Sequence, residues 1–406
     1  MLLRAFGRVR MRIFPAFLKV LCAAALFGGA TGFAHSQVPA PAKPSHAPRT
    51  LPLTKFYDTP NPMPAGKAGE LIRSEPFDEY DLPYEISAVR ILYHSRSPNG
   101  EDVAVSGVVL VPRGTPPAGG WPVIAWAHDF IGSARQCAPS LLRNLNKEPL
   151  LAMYVAVGYA VVASDYAGLG TSFPHAALDM RSNALDVIYS IPAARAALPR
   201  LGAKWVAAGY SQGGLVAVGV AEAGSEFGDL NYLGAITISG VAEVQEMFER
   251  LSQGPSHRML VFLAQGIKTV FPEFRVEEML TDKAIPLYQH IRNACEASSG
   301  PELGANEMLK PGWEDNRYVK EFFTRSTPGR KPVHGALLLI SGEADPEVPS
   351  ALTETVVARL CKQKDRVLFV KYPGVNASAV IGESVSEQIS WIRARFAGLP
   401  APSNCP

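Results

Sequence analysis

Gly209-Tyr210-Ser211-Gln212-Gly213-Gly214 is preceded by the short apolar run Lys204–Ala208. It is followed by a stretch of small apolar residues, Gly213–Ala223. Strand, sharp turn, helix is the context that G-x-S-x-G requires to be a nucleophile elbow. The turn forces the serine into a strained conformation, and the flanking glycines let strand and helix approach without a side-chain clash. The N–H of Gln212, at the start of the helix, then points at the place where an oxyanion would develop. Ser211 is therefore the candidate nucleophile.

Working outward, the surrounding chain repeats one unit. Glu85–His94 and Asp102–Val111 flank Ser97-Pro98-Asn99-Gly100, a hairpin signal. Buried-strand runs follow at Trp121–Ala127, Tyr159–Ser164, Lys204–Ala208, Leu233–Ile238, Ala336–Ser341 and Arg366–Lys371. Helical runs lie at Pro149–Val157, Ala177–Ala197, Gly213–Ala223, Ser350–Cys361 and Glu383–Phe396. A hairpin followed by βα units predicts an α/β fold, a mostly parallel central sheet with helices on both faces. Residues 241–332 break the alternation with apolar, helix-prone segments such as Met259–Ile267 and Met279–Ile291, which predicts a helical insertion over the sheet's carboxyl edge. The core is then residues 66–240 and 333–406.

A triad acid belongs just past a strand end downstream of the nucleophile. Ala336–Ser341 runs into Gly342-Glu343-Ala344-Asp345-Pro346-Glu347-Val348-Pro349, which makes Asp345 the candidate, with Glu343 and Glu347 as alternatives. Its task would be to hold and polarise an imidazole.

The N-terminus carries Arg4, Arg8, Arg10, Arg12 and Lys19, then the apolar stretch Val20–Phe33, then Ala34-His35-Ser36-Gln37. This is a signal-peptide layout over residues 1–36 with a cut after Ser36, or from a start at Met11. It implies a secreted or periplasmic protein, and no later apolar run is long enough for a stable membrane span. Residues 37–65, rich in Pro and Ala, read as a flexible lead-in. Cys137, Cys295, Cys361 and Cys405 remain after cleavage and allow two disulfides in any of three connectivities. With 406 residues and 47% hydrophobic content the chain can bury a core, which excludes wholesale disorder. A net charge of +2 without basic–aromatic clusters gives no signature of a nucleic-acid partner. The cysteine and histidine spacings hold no zinc signature, so no metal or organic cofactor is expected.

These motifs together resemble the secretory lipase family, the lipase-A-like branch of the α/β-hydrolases. Trp126-Ala127-His128 with Cys137-Ala138-Pro139-Ser140 is similar to its oxyanion-loop region. Ser164-Asp165-Tyr166-Ala167-Gly168-Leu169-Gly170-Thr171 is similar to its D-Y-x-G-L-G-T loop. The elbow at 209–214, the acid loop at 342–349, Tyr372-Pro373-Gly374 and the end at Trp391–Gly398 also match. The resemblance implies a carboxylic ester hydrolase acting on lipid-like or hydrophobic esters, and a helical cap at about 241–332. It also implies the disulfides Cys137–Cys295 and Cys361–Cys405, oxyanion donors at Gln212 and Asp129, and structural support from Asp165. Apolar cap residues (Met247, Phe248, Met259, Leu260, Phe262, Phe271, Phe274 and Met279) would suit an acyl pocket, though some must form the cap's own core.

Two positions depart from the family. Its histidine follows Tyr-Pro-Gly in an Asp-His or similar pair, but here the chain reads Val375-Asn376-Ala377-Ser378, so Ala377 stands where the general base is expected. No histidine occurs after His334. His128 and His175 are the candidates for a substitute base. Asp129 stands where bacterial relatives commonly have glycine; an ionised carboxylate there would oppose an oxyanion, or it could be held by hydrogen bonds with its backbone N–H as the donor, or activate water or a bound hydroxyl in different chemistry. A serine hydroxyl without a base is a poor nucleophile. The expectation is an ester-hydrolase scaffold with impaired triad activity. The alternatives are a pseudo-hydrolase that binds an apolar ligand or partner, and a histidine-independent enzyme of acyl transfer, cyclisation or elimination.

Overall fold

The computed structural model describes residues 50–224, 231–295 and 302–406. The expected signal peptide and the lead-in before residue 50 lie outside the described residues. Nine strands are described: β1 (Leu71–Phe77), β2 (Ile86–Arg96), β3 (Asp102–Pro112), β4 (Trp121–Ala127), β5 (Ala160–Ser164), β6 (Leu201–Tyr210), β7 (Tyr232–Ile238), β8 (Ala336–Gly342) and β9 (Arg366–Tyr372). They form one sheet in the order β1-β2-β3-β5-β4-β6-β7-β8-β9. The β2–β3 hairpin closes on Arg96 opposite Asp102. Pairing is antiparallel from β1 to β5 and parallel from β5 to β9.

Both faces are covered, as continuous apolar strands demand. On β4, Val123, Ala125 and Ala127 enter one buried cluster while Ile124 and Trp126 enter the other. The first cluster packs beneath α2 (Met180–Ala197), α3 (Gln212–Glu222) and α9 (Ser350–Lys362). The second packs beneath α1 (Glu148–Ala156), α10 (Ala377–Glu383) and α11 (Val385–Phe396). The helix expected over Glu383–Phe396 is α11, and the preceding α10, not anticipated, ends at Ser384, whose hydroxyl donates to Val380 O at 2.6 Å and offers the backbone an alternative partner.

Between β7 and β8 lie α4 (Val244–Gln253), α5 (Leu260–Val270), α6 (Ile285–Ile291), α7 (Ala305–Met308) and α8 (Arg317–Ser326). Their apolar residues join the core cluster under α2 and α3, so the cap shares one core with the sheet. α5 runs so close to the chain before α2 that a Cβ at Gly266 would meet Ala177 O at 2.1 Å. The helix expected over Met279–Ile291 begins only at Ile285. Leu280 is instead bridged to Leu309, and Pro286, lacking an N–H, fits the first turn.

Residues 50–65 correct the expectation of a flexible lead-in. Leu51 N–H donates to Leu141 O at 2.7 Å, and Tyr57 is fully buried with its hydroxyl on Ser140. Burying Phe56 and Tyr57 offsets the ordering cost that the Pro/Ala composition suggested would win. β1 was not anticipated either: it is a half-exposed edge strand containing Pro76, a weak pattern. Disulfides join Cys137 to Cys295 and Cys361 to Cys405. The first ties the loop after β4 to the cap. The second anchors the C-terminal tail, where Asn404 covers the free edge of β9. No helix among the described residues is long and apolar enough to cross a membrane.

Candidate active site

Ser211 sits between β6 and α3 with φ 53° and ψ −116°, a conformation costly for a residue with a Cβ. Its surroundings enforce this. A Cβ at Gly209 would meet Gly213 O at 2.0 Å, and one at Gly213 would meet Ala127 O at 1.9 Å, so only glycine fits either place. The Ser211 N–H donates to Ile238 O at 3.0 Å, and its carbonyl accepts from Gly214, Leu215 and Val241. The serine is thereby held at the carboxyl edge between β6 and β7. Gln212 is the first residue of α3, so its N–H has no acceptor within the helix.

Asp345 follows β8 and is 6% exposed. Its Oδ1 accepts N–H bonds from Glu347 and Val348, both at 3.0 Å, and among the described residues its Oδ2 accepts none. Burial pushes its carboxyl up, against the pull of those two bonds. The segment carrying Ala377, where a base is expected from the sequence, lies alongside. Glu343 N–H donates to Tyr372 O and Ala344 N–H to Val375 O, each at 3.0 Å. Gly342 leaves no room for a Cβ beside Val375 O. Ala377 is the first residue of α10, capped by Asn376 Oδ1, which accepts from Ala379 N–H at 2.9 Å.

Among the described residues neither candidate substitute base hydrogen-bonds to the serine. His128 is buried, and its Nδ1 and Nε2 face the backbone carbonyls of Asp129 (2.6 Å) and Asp165 (3.1 Å). It stacks on Tyr166, and burial pushes its imidazole toward the neutral form. His175 is also buried, with Nδ1–H on Ala167 O at 2.9 Å and no partner on Nε2. Burial lowers its pKa to about 4.

A folded pKa below the ordinary 6.5 means that His175 contributes stability present above pH 6.5 and lost as pH falls toward 4. Between pH 8 and pH 5 that is about 2 kcal/mol. Asp186 acts in the opposite sense, because burial raises its pKa to about 7 and its contribution fades as pH rises from the unfolded value toward 7. Comparison with His175→Asn cancels Asp186. The wild type should lose about 2 kcal/mol more than the variant on acidification, measured by denaturant unfolding at both pH values. Equal losses would show that the buried imidazole does not titrate this way.

The Asp129 carboxylate is held by hydrogen bonds, one of the alternatives its sequence position leaves open. Asn146 Nδ2 donates to one oxygen at 2.6 Å and Lys147 Nζ to the other at 2.8 Å. Lys147 also lies over the Tyr210 ring at 5.4 Å. These partners stand seventeen and eighteen residues along the chain, and sequence reasoning missed them. Tyr210 is pushed up to about 12, first by burial and then by the charges of Asp129, Asp345 and Glu347. Asp165 has a structural setting: buried, it accepts from Ser106 Oγ (2.6 Å), Ser140 Oγ (2.5 Å) and Ser140 N–H (2.9 Å).

Ser211 and Gln212 line a cavity of about 420 Å³ whose other walls include Phe130, Met247, Phe248 and Met259. Glu347 and Arg258 supply its charged rim. Leu260, Phe262, Phe274 and Met279 are fully buried in the cap core instead. Ser256 on the cap donates to Glu347 Oε1 at 2.5 Å. No cluster of three metal-binding side chains occurs among the described residues.

A family model described as secretory lipase matches residues 146–404. A comparison with curated proteins finds no match. Among solved structures, lipase A of Candida antarctica in its closed state is similar with a TM-score of 0.75 and 19% identity, covering 87% of this chain and 90% of that one. The rice cell wall degrading esterase LipA of Xanthomonas oryzae is similar with a TM-score of 0.68 and 19% identity, covering 82% of this chain and 98% of that one. At that identity both likenesses speak to the fold.

Proposed function

Because the chain belongs to the secretory lipase family, we propose that it is an exported carboxylic ester hydrolase that attacks lipid-like or hydrophobic esters through Ser211. The observation that carries this reading is the strained serine at the wall of an apolar cavity, at the start of a helix. In it, Ser211 Oγ attacks the ester carbonyl, and the N–H groups of Gln212 and Asp129 stabilise the oxyanion. Asp345 supports positive charge on whatever nitrogen takes the serine proton. Lys147 and Asn146 compensate the Asp129 carboxylate, which removes the repulsion an unpaired charge would exert on an oxyanion. Export is supported by two disulfides, which persist in oxidising compartments.

Ala377 at the base position limits this chemistry. Removing the triad histidine of subtilisin lowers kcat by roughly 10⁶, and an oxyanion hole with binding alone retains about 10³–10⁴ over water. p-Nitrophenolate departs without needing a proton, whereas the acyl-serine is an ordinary ester whose hydrolysis needs a base, so an activated ester should acylate Ser211 and stall. With p-nitrophenyl butyrate the mature protein should release a burst of p-nitrophenolate stoichiometric with protein, followed by slow turnover. Ser211→Ala should show no burst. Identical progress curves would remove Ser211 from the chemistry and favour the reading that the vacant base position also suggests, binding of an apolar ligand without cleavage.

A further inference from the structure

The place left by the missing imidazole is furnished for a protonated nitrogen. Asp345 is more than nine-tenths buried, yet its Oδ2 accepts no hydrogen bond and is not among the enclosed polar atoms that lack a partner, so it remains open to solvent. An ionised carboxylate oxygen without a paired cation favours positive charge beside it. Glu347, two residues on, lines the same cavity as Ser211 and binds Asp345 Oδ1 through its N–H. Its carboxylate is tied by one oxygen to Ser256 of the cap. Asp129 is paired with Lys147 at 2.8 Å and Glu343 of the acid loop with Lys371 at 3.4 Å, whereas no cation is paired with Asp345 or Glu347 among the described residues. Arg258 stands on the cap side of the cavity. Ser211 and Glu347 thus line one cavity, and Asp345 adjoins it through the bond from the Glu347 N–H.

We propose that the substrate brings this nitrogen: the preferred esters carry a tertiary or heterocyclic amine, seated on Asp345 and Glu347, that acts as the general base for Ser211. This rests on the proposed function and names its substrate class. As Ser211 Oγ bonds to the carbonyl carbon, its proton passes to the amine and the carbonyl π pair moves to the oxyanion. On collapse the bond to the alcohol oxygen breaks and the ammonium returns that proton to the departing oxygen. The amino alcohol leaves neutral and the acyl group remains on Ser211. An amino alcohol still seated then takes a proton from the water that attacks the acyl-enzyme and hands it to Ser211 Oγ, releasing the acid. The carboxylates stabilise the ammonium as they would an imidazolium.

Three nearly isosteric esters separate the possibilities: 2-(dimethylamino)ethyl butyrate, choline butyrate and 3-methylbutyl butyrate. The first has charge and a lone pair in equilibrium, the second charge alone, the third neither. Rates are followed by pH-stat on the full mature chain, with Ser211→Ala as background. The expected result is a kcat/KM for the dimethylamino ester at least tenfold above both others, lowered severalfold by Glu347→Gln, with the preference abolished in Ala377→His. Equal kcat/KM for the amine and choline esters would mean a cation site without base catalysis and would overturn the proposal. Three equal rates that still require Ser211 would overturn it while leaving the hydrolase reading intact. No Ser211-dependent hydrolysis of any ester, even in Ala377→His, would sink both.

Discussion

Gly213→Ala is expected to abolish the native fold or destabilise it by more than about 3 kcal/mol, beyond ordinary overpacking of a core. The methyl group would come within 1.9 Å of Ala127 O and 2.5 Å of its carbonyl carbon. Neither atom can retreat. Ala127 ends β4 in parallel register with Gly209 of β6, and β4 lies at the centre of the sheet. Gly209 in turn allows no Cβ toward Gly213 O. The elbow is thus a three-way backbone contact, and any relief would have to move α3, which packs against α2, β6 and β7. Gly382→Ala is the control. A Cβ there meets nothing within 4 Å, and α10 should gain up to about 1 kcal/mol from the better helix former. Urea unfolding of the two variants beside wild type measures both. A Gly213→Ala protein as stable as wild type would show that the elbow is looser than its geometry states.

Most of the sheet was legible because its strands are short apolar runs punctuated by turn residues, and the elbow because its glycines are demanded by contacts only a few residues apart in sequence. Asp345 could be placed by its position after β8. What escaped depends on distant partners. Asp129 reads from the sequence as a charge beside an oxyanion, and only folding brings Lys147 and Asn146 onto it. His128 and His175 read as scaffold residues that could also serve as spare bases, and folding shows their nitrogens facing carbonyls or closed off from solvent. Residues 50–65 read as linker because Pro and Ala outnumber the two aromatics that anchor them. The cap's helices were foreseen, but not their division, since Leu280 is fixed by a bridge to the distant Leu309.

The second large effect is a gain. Ala377→His should raise kcat/KM for p-nitrophenyl butyrate by at least about 10³, equivalent to about 4 kcal/mol of transition-state stabilisation. Position 377 is half-buried at the first turn of α10, beside the loop that Glu343 and Ala344 hold against Tyr372 and Val375. An imidazole there would complete the open Oδ2 of Asp345, which fixes its tautomer and supports its charge. It should add little strain, because the site is not packed on all sides and histidine costs a helix only a few tenths of a kcal/mol. The slow phase after the burst should vanish, since deacylation regains its base, and kcat/KM should acquire a pH dependence rising through the histidine range.

The most direct measurement is therefore kcat/KM for p-nitrophenyl butyrate with wild type, Ala377→His and the double variant Ala377→His/Ser211→Ala. A gain of about 10³ in the single variant that disappears in the double is the predicted result. An Ala377→His protein that folds, binds the ester and remains at the wild-type rate would contradict the account, because the scaffold would then lack more than its base.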